Sequence, residues 1–241
     1  MNRKIKKIIK WTFIVFITIF VLLLIALKIY STTSYEPLDE MYNQLDLIQD
    51  DSIERYDDFD EIRYTVDNPI KNIIFVTGGL VEPESYEYLA YNLALNGYNV
   101  TITKPLFNLA ILTPNYASRF IDEDLDNVII GHSLGGVVGS MVANKNSEIS
   151  TVILMGSYPI NDVSDKDVLI ISAEYDDGMD PDAFEASFKY LNEEAEFYHI
   201  EEGNHAQFGW YGPQKGDGEA TISTLEQQTI VVNQIIDYLN Q

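Results

Sequence analysis

Asn127-Val128-Ile129-Ile130-Gly131-His132-Ser133-Leu134-Gly135-Gly136 is the stretch from which the fold of this 241-residue chain can be read. Four residues suited to a buried strand run into Gly-x-Ser-x-Gly, and a helix-compatible segment, Val137 to Asn144, follows. Strand, tight turn and helix in that order form a nucleophile elbow. The turn is too sharp for side chains two positions either side of the serine, so Gly131 and Gly135 stand there. The hydroxyl is held clear of the sheet over a helix N-terminus, where amide N–H groups and the helix dipole favour an oxyanion.

Outward from the elbow, strands and helices alternate. Ile53 to Phe59 and Glu61 to Val66 read as an antiparallel pair. Asn72 to Val76, Tyr98 to Thr103, Thr151 to Met155, Val168 to Ser172 and Glu196 to Ile200 read as strands. Helical spacing is found in Leu38 to Gln49, Ser85 to Leu95, Ile111 to Ile121, Pro181 to Leu191 and Ala220 to Leu239. Near-continuous Val/Ile/Leu strands between helices predict an α/β fold, a mostly parallel, doubly wound sheet with helices on both faces. Ligands in such sheets bind beyond the carboxyl ends of the strands. Gly78-Gly79, Ser133, Asp176 and His205 all fall there.

A serine hydroxyl needs a base, and the base needs an acceptor that fixes its tautomer. In an elbow fold the order is Ser, acid, His. His132 lies inside the elbow and cannot reach round to Ser133; His199 lies within a strand; His205 sits in the loop leaving that strand. His205 is the base on this reading. Asp176 is the acid, four residues past the strand end at Ser172, with Asp177 of the turn-like Asp177-Gly178 the alternative. The Leu134 N–H is one oxyanion donor. The Leu80 N–H, after Gly78-Gly79, is the expected second, with Val81 the alternative.

Residues 1–30 differ from the rest. Arg3, Lys4, Lys6, Lys7 and Lys10 precede an uncharged run from Trp11 to Leu27, with Trp11 and Tyr30 at its ends. A basic flank, about twenty apolar positions once Lys28 snorkels, and terminal aromatics predict one transmembrane helix with a cytoplasmic N-terminus. The rest is expected outside the cytoplasmic membrane. No Ala-x-Ala-like site follows, which favours a retained anchor over a cleaved signal peptide. We expect an anchor over 1–30, a linker and juxtamembrane helix over 31–50, and a catalytic domain over 51–241.

All thirty-eight acids follow Lys28, against nine of the fifteen Lys and Arg, so that part carries a formal charge of −29. Such a surface repels nucleic acid and favours neutral or cationic small-molecule partners. Without cysteine there is no disulfide or thiolate metal site.

Four stretches resemble the α/β-hydrolases, in particular the small branch called alpha/beta hydrolase family 5, or dienelactone-hydrolase-like. They are Thr77 to Glu84 with Tyr86, the elbow, Asp176-Asp177-Gly178, and Gly203 to Gly209 running on to Tyr211-Gly212-Pro213-Gln214. The resemblance implies Ser133, Asp176 and His205 as a triad and an oxyanion donor near Leu80. Dienelactone hydrolases use a cysteine nucleophile, which this chain lacks. The gap Gly156 to Asp167, where many relatives insert a lid, is twelve residues long, so an open site is expected unless Lys104 to Leu125 covers it. The expected activity is cleavage of an ester or related acyl bond, with no metal or organic cofactor. An acyltransferase using the same triad and a catalytically idle envelope-associated binding module are the alternatives.

Overall fold

A computed structural model describes residues 3–241. The chain divides between Ser34 and Tyr35 into two units. The first holds helix α1 (Arg3–Ser31), 29 residues long, with no acidic residue in its first turn and a mean hydropathy of 2.8 in its most apolar window. At 1.5 Å per residue it measures about 43 Å, long and apolar enough to cross a membrane.

The second unit is built on an eight-stranded sheet in the order β1-β2-β4-β3-β5-β6-β7-β8. Strands β1 (Glu54–Asp57) and β2 (Glu61–Thr65) are antiparallel, with Glu54 opposite Thr65, and β2 runs antiparallel to β4 (Asn99–Thr103). The rest is parallel: β3 (Asn72–Val76), β5 (Asn127–His132), β6 (Ile149–Met155), β7 (Asp167–Tyr175) and β8 (Glu196–Asn204). Every residue of β3 and β5 is buried, because alternate side chains enter two separate cores. Ile73, Phe75, Val128 and Ile130 pack on one face with helices α3 (Glu87–Leu95) and α6 (Thr224–Leu239). Ile74, Val76 and Ile129 pack on the other with α4 (Leu134–Lys145) and Phe184 of α5 (Pro181–Ser187).

Local chemistry sets several boundaries away from the expected ones. The final helix starts at Thr224 rather than Ala220, because Ser223 and Glu226 form a capping box. Residues 111–121 hold only short 3₁₀ turns, Ala110–Leu112 and Tyr116–Phe120. Pro114 disfavours helical geometry at Thr113 and separates them. Strand β8 runs four residues past Ile200 and delivers its end directly to His205. Tyr35 belongs to the sheet unit rather than to a linker. Its N–H donates to Leu80 O at 2.8 Å and its carbonyl accepts from the Glu82 N–H at 2.9 Å. Helix α2 (Asp39–Asp46) is anchored by Met41, packed with Tyr88 and Trp210.

Helix α4 approaches the strands without an intervening side chain. A Cβ on Gly135 would lie 2.2 Å from Val76 O and 2.4 Å from Thr77 O, whereas one on Gly139 would meet only Ile129, at 3.6 Å. Chemical denaturation should therefore show Gly135→Ala destabilised by at least about 1–3 kcal/mol. Gly139→Ala should gain up to about 1 kcal/mol from helix propensity.

Candidate active site

The carboxyl ends of β3, β5, β7 and β8 bring together the loops chosen from sequence. Ser133 joins β5 to α4 at φ 53° and ψ −125°, a backbone strained for a side-chain-bearing residue. Its N–H donates to Met155 O at 3.0 Å, and its carbonyl accepts from Ser157 Oγ at 2.7 Å, so the elbow is held from both sides. Leu134 begins α4, where the first N–H groups have no partner within the helix. Ser133 and Leu134 line a cavity of about 260 Å³ with Gly78, Gly79, Leu80 and His132.

His205 and Asp176 meet behind the elbow. Their Nδ1 and Oδ1 atoms are 2.8 Å apart, and both side chains are almost wholly buried. Asp176 Oδ1 also accepts from the Gly178 N–H at 3.0 Å. The contact requires glycine at 156, where a Cβ would sit 2.9 Å from both Asp176 Oδ2 and His205 Nδ1 and where φ is +51°. Asp177 is exposed and has no hydrogen bond or ion pair with His205 among the described residues. His199 is exposed on β8, with Nδ1 2.9 Å from Ser172 Oγ. The Ser133 hydroxyl makes no hydrogen bond among the described residues.

The oxyanion loop differs from the expectation. The Leu80 N–H donates to the Asn108 carbonyl at 2.8 Å and is not available. The contact forms because residues 104–125 fold back on this loop, with Phe107 and Asn108 both at positive φ. The Gly78 N–H donates to Tyr86 Oη at 3.0 Å. Of these three amides only that of Gly79 has no partner among the described residues.

Further contacts escape a sequence reading. Tyr86 Oη lies 2.8 Å from Nδ1 of His132, and both side chains are buried. Burial pushes the Tyr86 phenol up and holds the His132 imidazole well below its ordinary range. The phenol keeps its proton and the imidazole stays neutral, and Tyr86 Oη bridges the Gly78 N–H, from which it accepts, and His132 Nδ1. The His132 and His205 rings lie 4.6 Å apart. Asp217 accepts from the His205 N–H at 3.3 Å and the Ala206 N–H at 2.7 Å. Gln227 of α6, fully buried, receives the Asn204 N–H at 3.0 Å and donates to Asn204 O at 2.8 Å. The only sequence signal for Asp217 is its turn-forming pair with Gly218. Gln227 shows merely as a polar residue in an apolar helix.

A histidine held neutral by burial binds a proton in the unfolded chain below about pH 6.5 but not in the fold. The fold therefore loses stability as pH falls through that value, by up to about 1.4 kcal/mol per pH unit. Urea denaturation at pH 7.5 and pH 5 should show a smaller acid loss for His132→Asn than for the parent.

The sequence profile of the alpha/beta hydrolase family matches residues 72–229. No curated protein matches the chain in sequence. Among solved structures, a dienelactone hydrolase from Anabaena variabilis is similar at 13% identity and a TM-score of 0.56, over 78% of this chain and 97% of that one. The Francisella virulence factor BioJ is similar at 16% identity and a TM-score of 0.59, over 84% and 89%. An esterase from Pyrococcus furiosus is similar at 13% identity and 0.54, over 78% and 91%. At such identities the likeness is one of fold.

Proposed function

The chain belongs to the alpha/beta hydrolase family, and we propose that it is a membrane-anchored serine hydrolase that cleaves an ester or related acyl bond outside the cytoplasmic membrane. The observation that supports this most is the buried 2.8 Å contact of His205 with Asp176, at the sheet end that carries Ser133. Asp176 accepts a hydrogen bond from the Nδ1–H of His205, which keeps that proton, and leaves Nε2 free to take the Ser133 proton. Ser133 Oγ attacks the carbonyl, and His205 returns the proton to the departing alcohol. Water then cleaves the acyl-enzyme by the same steps. The developing oxyanion is received by the N–H groups of Leu134 and Gly79. Tyr86 and His132 act at one remove, holding the Gly78–Gly79 turn.

Ser133→Ala removes one oxygen and should abolish ester turnover and fluorophosphonate labelling, by several orders of magnitude, with unchanged circular dichroism. Retention of more than about a tenth of the activity would move the nucleophile elsewhere. Asp176→Asn should cost up to about 10⁴ in rate by fixing the wrong tautomer, and Asp177→Asn far less.

The anchor rests on five basic residues before Trp11 and no acid before Glu36. Protease added to spheroplasts should digest the catalytic unit, and high salt should leave it on membranes. Active protein recovered from the medium with its N-terminus near Ser31 would show cleavage instead.

A further inference from the structure

We propose that the cavity over Ser133 selects a substrate bearing a second, anionic group, a carboxylate or a phosphate, and that Lys215 is the residue that reads it. This rests on Ser133 being the nucleophile. Nine cations belong to the sheet unit. Six of them, Arg55, Arg63, Lys71, Lys104, Arg119 and Lys166, are ion-paired with Asp or Glu. Lys145 donates to Asn115 Oδ1 at 3.0 Å, and the Lys189 ammonium lies 4.8 Å over the Tyr190 ring. Among the described residues, Lys215 is the cation of this unit whose ammonium has no such partner, and it lines the Ser133 cavity.

The rest of that lining is free of acids, a property shared only by an apolar cavity of about 340 Å³ at Phe188, Leu191, Asn192 and Phe197 among the five described. Thirty-eight of the 241 residues are acidic. Cavities of about 440, 410 and 500 Å³ elsewhere on the unit are each lined by at least two carboxylates. The Ser133 cavity has none, and with His132 held neutral its formal charge is that of Lys215. The lysine is also placed rather than loose in its backbone. Its N–H donates to Tyr35 Oη at 3.1 Å, the Tyr35 ring packs 5.4 Å from Tyr211, and Tyr211 Oη donates to Gln214 at 3.1 Å. The nearest acid along the chain, Asp217, has both oxygens engaged by backbone N–H groups.

Charges beyond about 8 Å are largely screened at physiological salt, so the −29 of the surface does not decide binding inside this cavity. A lysine on the cavity wall, exposed and with no ion pair among the described residues, does. The overall charge slows the approach of an anion, and Lys215 then separates anionic from neutral esters once they enter.

The test compares full-length protein with Lys215→Gln and Lys215→Glu on 4-nitrophenyl valerate and mono-(4-nitrophenyl) glutarate, which share a five-carbon acyl chain and differ by the terminal carboxylate. Fatty-acid release from vesicles of anionic phosphatidylglycerol, against zwitterionic phosphatidylcholine whose phosphate is balanced by its own trimethylammonium, is the phosphate arm. The glutarate-to-valerate ratio of kcat/KM should fall about fivefold in Lys215→Gln and further in Lys215→Glu. In the parent that ratio should shrink with added salt. A fall confined to the glutarate arm identifies a soluble carboxylate ester, and one confined to the vesicles identifies a lipid phosphate. Ratios equal in all three proteins on both arms overturn the assignment of Lys215. Full activity in Ser133→Ala overturns the nucleophile on which it rests, a distinguishable failure.

Discussion

The approach of helix α4 to the ends of β3 and β5 is the constraint from which the site is built. No side chain separates Gly135 from the carbonyls of Val76 and Thr77, or Gly131 from Gly136. Such contact lets the chain reverse within one residue, and that residue is Ser133 in the left-handed region. The strain is offset by hydrogen bonds on both sides of the serine and by burial of all six residues of β5. A serine on a relaxed loop would lack both the raised hydroxyl and the adjoining helix N-terminus.

Behind the elbow lies a buried polar layer that orders everything else. Tyr86 bridges Gly78 and His132, Asp217 ties down the backbone of His205 and Ala206, and Gln227 closes both backbone groups of Asn204. Each polar atom buried here without a partner would cost roughly 1–3 kcal/mol, so such a network holds one geometry or fails. His132 Nε2 and Asp176 Oδ2 are nevertheless buried without a hydrogen-bond partner among the described residues, both beside His205. Stability is given up where the chemistry is proposed to occur, a common trade at reacting centres.

Charge is distributed at two scales. Acidic residues cover the sheet unit, while the cavity over the serine has no carboxylate on its walls. Asp176 is paired with His205 at 2.8 Å, and its side chain is only 1% exposed. The charge of the surface and the charge of the cavity are thus set by different residues.

What the sequence by itself determined are features with a local cause. Apolar runs with no polar alternation mark strands buried on both faces. The elbow follows from glycine spacing, and the meeting of Asp176 with His205 follows from their position just past strand ends. The membrane-compatible helix is equally plain from charge and length. Tertiary structure alone decided what depends on residues distant in sequence. The Leu80 amide reads as a donor until Asn108, 28 positions on, folds back and accepts it. His132 reads as an idle neighbour of the serine until Tyr86, 46 positions earlier, supplies its hydrogen-bond partner. Tyr35 reads as linker until a strand-like contact with Val81 draws it into the cavity wall. In each case a backbone or ring nitrogen has its role set by a partner that local pattern cannot specify, because hydrogen bonding across a fold depends on where chain segments meet.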